Sequence, residues 1–388
     1  MKKSSGFLNA GFLFLLACST LTAFTFQMIT PVLTKYISGS GYTLAAAGTV
    51  SGLYSIAALV GRPFSGMLSG RFNMKYLAIP GLALTTAGTV GLALTGNLII
   101  LGACRIIQGL GFSLSSTVLV AMATSYMPED RIGEGVGYFA LSNLLAMSAG
   151  PGLGLALSDR GGYQILFLTA GACTLIPAVG LCFLKFRQEI TATEKAKLSV
   201  REFFAPELLP YLLFTAVFSM STSLISSYLS LLSESRNIAD YSWYFTISAV
   251  VMLLSRPLAG RLSDRRGGKF VIFPAYLLCA LALFLIAGAA SCRILFAAAV
   301  VNAFGSGAGS PACQSECIRI AGSDRRGLAV SMYYIGADLA NGLGPSIGGA
   351  IADSCGYAAM YRTMAVVCLL TAACFHLYTR FRTRRRTG

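Results

Sequence analysis

The sequence consists of two copies of one half, related by an ungapped offset of 194 residues. The offset pairs these segments: Arg62–Gly66 with Arg256–Gly260, Asp130–Gly133 with Asp324–Gly327, and Gly150–Gly154 with Gly344–Gly348. Asp159 and Tyr163 likewise align with Asp353 and Tyr357. The agreement extends to loop positions, where unrelated sequences rarely match. The chain is therefore predicted to fold as two similar halves in the same chain order.

The composition determines the class of fold that these halves can form. Hydrophobic residues make up 55% of the chain and charged residues 12%, whereas soluble chains carry about a quarter charged residues. The apolar blocks reach roughly 20 residues, enough for a helix to cross a hydrocarbon core of ~30 Å. A soluble fold is excluded, and an all-α membrane protein is expected. The predicted spans are 8–33, 43–68, 76–95, 98–124, 131–157, 163–185, 208–232, 241–261, 270–289, 293–318, 325–351 and 357–379.

Twelve spans form two six-helix bundles, predicted at residues 1–185 and 208–388, the second ending in a basic tail. A mixed-charge stretch, 186–207, is predicted to be a cytoplasmic linker. An even number of spans places both termini on one side, which holds most of the 30 basic residues. The opposite loops hold only Lys35, Arg160, Arg236 and Arg293. The positive-inside rule therefore predicts a cytoplasmic membrane protein with both termini inside, and the net charge of +15 is a topology signal with no nucleic-acid partner implied.

The residue types at depth argue against an enzyme. The single histidine, His376, is far in sequence from the helical pair Cys313 and Cys317, so no metal site is expected. No cofactor motif or phosphate-binding loop is present, and whether Cys292 and Cys355 form a disulfide is left open. Parallel hydrophobic halves are instead typical of secondary transporters, with the site between the repeats. An intramembrane enzyme or a receptor is the alternative class, and it leaves the duplication unexplained.

Three motifs carry a resemblance to a known family. Gly260–Lys269 lies between spans 8 and 9, Arg105–Gly111 in span 4 and Gly150–Gly154 in span 5. Together with twelve spans they resemble the major facilitator superfamily, and the span-5 motif resembles its drug:proton antiporter branch. The resemblance implies two bundles around a central cavity that opens alternately to each side of the membrane.

The loop motifs predict a cytoplasmic latch between the halves, formed by charge-assisted hydrogen bonds. Its predicted members are Asp264, Arg265, Lys269, Glu316, Arg256, Arg71 and Lys75. The first half departs from the family pattern, because Gly70 stands where the family has its loop aspartate and Met122 aligns with Glu316. We therefore expect a stronger latch in the second half. The alternative is that the basic residues serve only membrane orientation.

Asp338 and Arg105 are the candidates for proton coupling. Asp338 lies near the middle of span 11 and aligns with Leu144, so the repeat does not require an acid there. A carboxyl at this depth suits a group that binds and releases protons, although a neutral, hydrogen-bonded aspartate is the alternative. Arg105 aligns with Ala299. The resemblance associates this arginine with proton coupling, and the alternative is a snorkelling arginine that holds helices together.

Two further sets of residues complete the predictions. Glycines and prolines of spans 5 and 11 are expected to act in packing and bending, and the resemblance places them where the halves meet: Gly150, Pro151, Gly154, Gly344, Pro345 and Gly348. Uncharged polar residues predict the substrate cavity: Gln27, Tyr54, Asn143, Ser223, Tyr244, Asn302, Tyr334 and Asn341. The expected function is proton-coupled efflux of a small organic molecule by a monomer in the lipid bilayer. The alternative is an importer or facilitator of a sugar or metabolite.

Overall fold

A computed structural model describes residues 9–69, 72–126, 132–184, 186, 208–321 and 326–387. Within this part of the chain the regular structure is helical, as the sequence predicts. The helices are α1 Ala10–Gly39, α2 Leu44–Ser69, α3 Met74–Ala93, α4 Leu98–Thr124, α5 Ile132–Phe183, α6 Leu209–Ser235, α7 Trp243–Arg266, α8 Lys269–Ala287, α9 Cys292–Ala321, α10 Arg326–Cys355 and α11 Tyr357–Thr387. The linker prediction and Arg71 lie outside the described residues.

Helix α5 contains two of the predicted spans. Its 52 residues are interrupted at Gly162, whose φ of 79° and ψ of 168° are non-helical. A positive φ of this kind is accessible to glycine because it has no Cβ. Ten described helices are long and apolar enough to cross a membrane, and Ser142–Phe183 counts once among them. The glycine-rich α10 is outside these ten, so the count of twelve spans stays a prediction.

Polar side chains within the helices mostly satisfy their hydrogen bonds locally. The hydroxyls of Thr22, Thr30 and Thr85 each donate to the carbonyl four residues earlier, at 2.8, 2.8 and 2.9 Å. In hydrocarbon an unsatisfied polar group costs several kcal/mol, and the helix satisfies the backbone in the same way. Hydroxyl residues can therefore line these helices at little cost.

The chain divides into two compact units. Unit 1 comprises Met1–Tyr36 and Leu53–Glu194, and unit 2 comprises Ile37–Gly52 and Lys195–Gly388. The change after residue 194 falls inside the predicted linker, 186–207. The segment Ile37–Gly52 groups with unit 2, so α2 begins in one unit and continues in the other. Assigning the whole of residues 1–185 to one bundle remains a prediction.

Each unit has an aromatic core that joins distant helices. In unit 2, Phe218 of α6 stacks on Tyr276 of α8 with ring centroids 4.1 Å apart, and Tyr276 Oη donates to the carbonyl of Phe214 at 2.6 Å. In unit 1, Phe12 of α1 makes an edge contact with Phe139 of α5 at 6.1 Å. Such pairs add about 0.5–1.5 kcal/mol beyond area burial, and they make each unit a firm scaffold for its polar groups.

Candidate functional site

Arg105 is fully buried inside unit 1, at the head of a chain of hydrogen bonds. Its Nη1 donates to Gln108 Oε1 one turn along α4, and Gln108 Nε2 donates to Thr89 Oγ1 of α3 at 2.7 Å. Thr89 Oγ1 in turn donates to the carbonyl of Thr85 at 2.7 Å. Arg105, Gln108 and Thr89 are all 0% exposed. The guanidinium is therefore held in place by uncharged groups and is shielded from solvent.

An aromatic side chain covers the same guanidinium. The Cζ atom of Arg105 lies 4.6 Å from the ring centroid of Tyr54 on α2, and Phe26 of α1 stacks on that ring at 4.8 Å. A cation over a desolvated ring gains about 2 kcal/mol, against roughly 0.5–1 kcal/mol at an exposed site. The sequence assigned Tyr54 to the substrate cavity and Arg105 to coupling, and the structure brings the two together.

This contact predicts unequal effects for two substitutions of Tyr54. Tyr54→Leu removes the ring and is expected to cost about 1–2 kcal/mol more stability than Tyr54→Phe, which keeps the ring over the cation. Thermal unfolding of the purified protein in detergent measures the difference. Tyr76→Leu is the control, since Tyr76 on α3 is 70% exposed. Equal losses for the Leu and Phe variants of Tyr54 would show that the ring does not stabilise Arg105.

Asp338 lies on α10 in unit 2 and is 8% exposed. Tyr334, one turn earlier, is 41% exposed, and Asn341, nearly one turn later, is half-buried. The carbonyl of Asn341 accepts a hydrogen bond from Ser223 Oγ of α6 at 3.4 Å. Along this part of α10 the side chains are thus exposed at Tyr334, buried at Asp338 and half-buried at Asn341.

The N-terminal end of α2 packs on the same helix, α10. Leu44 and Ala45 donate their backbone N–H groups to the two carboxylate oxygens of Asp353, each at 2.9 Å. The first N–H groups of a helix have no partner within it, and a carboxylate there also interacts favourably with the helix dipole. Asp353 thus caps α2 from a neighbouring helix, a role worth about 0.5–2 kcal/mol for a cap.

Tyr228 and a hydroxyl pair extend this α2–α10 junction, which comprises 44–52 of α2 and 342–353 of α10. Tyr228 Oη of α6 donates to the carbonyl of Pro345 at 2.6 Å and also lies 3.1 Å from the carbonyl of Leu44. Thr49 Oγ1 and Ser346 Oγ are 2.7 Å apart. All of these residues belong to unit 2. The contacts of the junction are hydrogen bonds between polar groups rather than apolar contacts. Water can therefore replace the partners of these hydrogen bonds.

Glycines bring the two backbones of the junction together. A Cβ on Gly52 would collide with the carbonyl oxygen of Gly342, and one on Gly48 with that of Pro345. Small residues of this kind let membrane helices approach closely. Gly342 lies one helical turn after Asp338, and Gly52 lies two residues before Tyr54. Within unit 2, Gly52 of α2 therefore packs on α10 one helical turn from Asp338.

The predicted latch residues are distributed over several contacts. Glu316 Oε1 accepts from the backbone N–H of Gly268 at 2.9 Å and from Arg319 Nη1 at 3.1 Å, so its basic partner here is a residue outside the predicted set. Lys75 Nζ donates to the carbonyls of Cys182 and Leu184, both at 2.9 Å, where it caps the end of α5. Arg265 and Lys269 are exposed. The side chain of Asp264 lies outside the described side chains.

Arg256 and the remaining polar residues occupy varied surroundings. Arg256 is half-buried near Tyr333, whose hydroxyl lies 2.6 Å from Ser310 Oγ. Asn143 is exposed on α5 and donates to its own helix at the carbonyl of Phe139. Tyr244 and Asn302 are 2% and 3% exposed, and their side chains interact with each other. This buried polar pair stays among the candidates for solute or water binding.

The predicted packing residues make close helix contacts within each unit. A Cβ on Gly150 would meet Gln27 of α1, and one on Gly154 would meet the backbone of Met28. In unit 2, Gly344 and Gly348 face Met220 and Leu224 of α6. Pro151 and Pro345 are buried. These contacts account for the small residues at those positions.

Four residues of the site were not assigned a role from sequence. Gln108 lies inside the Arg105–Gly111 motif, and Thr89 is unremarkable in a helix rich in threonine. Asp353 carried a signal, since the repeat pairs it with Asp159. Asp159 also contacts a first-half partner, Lys35, whose Nζ lies 3.3 Å from Asp159 Oδ1. Tyr228 had no signal, because its role depends on two carbonyls that are distant in sequence.

Comparisons with known proteins identify the family of this chain. The sequence model described as Major Facilitator Superfamily matches residues 15–239 and 211–388. An uncharacterized MFS-type transporter of Methanocaldococcus jannaschii is 22% identical, covering 92% of this chain and 96% of that protein. The multi-drug resistance efflux pump PmrA of Streptococcus pneumoniae is 26% identical, covering 94% of each chain.

A solved structure gives the same result for the fold. The nucleoside transporter NupG superimposes with a TM-score of 0.81 at 12% sequence identity, covering 94% of this chain and 99% of that one. The helices, the duplicated motifs and the sequence match lead to one assignment. The chain belongs to the Major Facilitator Superfamily and is a multi-pass membrane transporter, not an enzyme.

Proposed function

We propose that the protein exports a small organic molecule across the cytoplasmic membrane in exchange for protons. The observation that carries this proposal is the buried carboxyl of Asp338 on α10, the helix that also packs on α2. A membrane-embedded acid is costly to keep ionised, so the free energy of its protonation depends on which side of the membrane it faces. The name of PmrA, a multi-drug efflux pump, supports export.

Arg105 has the complementary part in this proposal. Its guanidinium is anchored by Gln108 and covered by Tyr54, and α2 connects that ring to the α2–α10 junction. Protonation of Asp338 changes the charge on α10, and residues 44–52 of α2 pack on that helix. In the proposed outer gate, the start of α2 moves relative to α10. This movement breaks and re-forms the hydrogen bonds that join Leu44 and Ala45 to Asp353 and those of Tyr228.

The remaining features of the proposal follow from the charge distribution. Both termini are cytoplasmic by the positive-inside rule, and the transporter works as a monomer. The polar residues of the predicted cavity carry no net charge, which favours a neutral, amphipathic or zwitterionic solute. A proton-coupled importer or facilitator of a sugar or metabolite has the same fold, because fold alone does not determine direction.

A substrate screen with an imposed pH gradient tests the function and its direction. Inverted membrane vesicles with an acidic lumen are mixed with pools of labelled compounds, and vesicles lacking the protein serve as the control. Export coupled to protons predicts accumulation inside the inverted vesicles, lost when a protonophore collapses the gradient. Accumulation only in right-side-out vesicles would establish the importer instead, and transport insensitive to the protonophore would exclude proton coupling.

A further inference from the structure

An open groove lies between the start of α8 and the last turns of α11, away from Arg105, Asp338 and the α2–α10 junction. Its volume is about 540 Å³. Lys269 and Arg380 stand at its polar end, and Phe270, Phe273 and Phe375 form its apolar wall. His376 lies beside Phe273, with ring centroids 5.3 Å apart. The groove is therefore amphipathic, with two cations above a surface of aromatic rings.

The two cations of the groove retain their charge for a ligand. Neither Lys269 nor Arg380 forms an ion pair within the described part of the chain, and both are exposed. The nearby carboxylate of Glu316 is already bound by Gly268 N and by Arg319 Nη1. Lys269 is also the first residue of α8, where the helix dipole is positive. This end of the groove favours an anion.

The apolar part of the groove continues as an exposed stripe along α8. Phe270, Leu277 and Leu281 are 50%, 41% and 48% exposed, and their spacing of seven and four residues places them on one helix face. The rise along α8 from Phe270 to Leu281 is about 16.5 Å, which is roughly half of the ~30 Å hydrocarbon core. The stripe therefore has the length of one leaflet.

We propose that this groove binds an anionic phospholipid of the cytoplasmic leaflet. The lipid phosphate lies between Lys269 and Arg380, and an acyl chain follows Phe270, Phe273 and the stripe on α8. The leaflet assignment rests on the proposed orientation of the termini. Basic pockets between helices at the cytoplasmic surface suit anionic headgroups, and aromatic side chains are favoured at that depth. The bound lipid joins α8 to α11.

Native mass spectrometry of the purified full chain tests this proposal without measuring transport. The protein is titrated with phosphatidylglycerol and, separately, with phosphatidylcholine of the same acyl chains. Each cation near an anionic surface contributes about a fivefold factor in affinity, so Lys269→Gln with Arg380→Gln is expected to lower phosphatidylglycerol affinity about 25-fold. Phosphatidylcholine binding is expected to change little.

Matched variants distinguish the groove from general charge effects. The control Arg293→Gln with Arg362→Gln also removes two exposed cations, at positions outside the groove, and should leave the preference for phosphatidylglycerol intact. Each single variant, Lys269→Gln or Arg380→Gln, should lose about fivefold, which keeps the test usable if the double variant does not fold. An equal loss in the control pair would overturn the site. If inorganic phosphate displaces the lipid at matched concentration, the groove is a site for free anions and the lipid proposal is overturned.

Discussion

Asp338→Asn is expected to abolish accumulation driven by a pH gradient, lowering it to the level of vesicles without the protein. The substitution keeps the size and hydrogen-bonding capacity of the side chain and removes its titration. The variant should still exchange substrate across the membrane when the solute does not need the charge. Gradient-driven uptake and substrate exchange, measured in inverted vesicles over a series of pH values, separate these activities.

A second aspartate on the same helix provides the control. Asp353→Asn also neutralises an acid of α10, at the α2–α10 junction, where it weakens the cap on Leu44 and Ala45. This variant should alter the rate of transport and retain its pH dependence. If Asp338→Asn keeps both gradient-driven transport and its pH profile, the proton travels by another route. Glu316 and Asp264 then become the next candidates, and Asp338 is a packed structural residue.

Locking the α2–α10 junction is expected to stop transport. Thr49 Oγ1 and Ser346 Oγ are 2.7 Å apart, so the pair Thr49→Cys and Ser346→Cys can form a disulfide, which needs a Cβ–Cβ separation of roughly 3.5–4.5 Å. In a background without the native cysteines, oxidation with a membrane-permeant catalyst should reduce transport to background. A reductant should restore it. Transport and cross-link yield are measured on the same vesicles.

A pair with similar geometry inside unit 1 controls for oxidation itself. Thr86 Oγ1 of α3 and Thr174 Oγ1 of α5 are 2.8 Å apart, and both helices belong to unit 1. Thr86→Cys with Thr174→Cys should cross-link and leave most transport intact, because no proposed gate movement separates those helices. A fully cross-linked Thr49–Ser346 pair that still transports would show that the junction remains closed throughout the cycle.

The membrane class, the helical fold and the family could be predicted because they depend on patterns along the chain. Runs of apolar residues specify spanning helices regardless of tertiary contacts. In hydrocarbon the backbone N–H and C=O groups can bond only to each other, and a helix satisfies all of them. The repeat and the loop motifs were visible for a similar reason, as aligned residues such as Arg62 and Arg256 need no coordinates. The placement of Arg105 and Asp338 within apolar segments could also be predicted, because it depends only on the residues around them.

The partners of those residues were decided by tertiary structure. Gln108 and Tyr54 hold Arg105 because α2, α3 and α4 pack together, and Lys75 was expected in the latch but bonds to the end of α5. Asp353 caps α2 across more than 300 residues of chain. A hydrogen bond needs its two atoms within about 3 Å, and membership of a span limits a side chain only to a depth. The rotation and packing of the helices then determine which side chains face each other. The sequence alone therefore determined which groups belong to apolar spans, and the tertiary structure decided which of those groups are in contact.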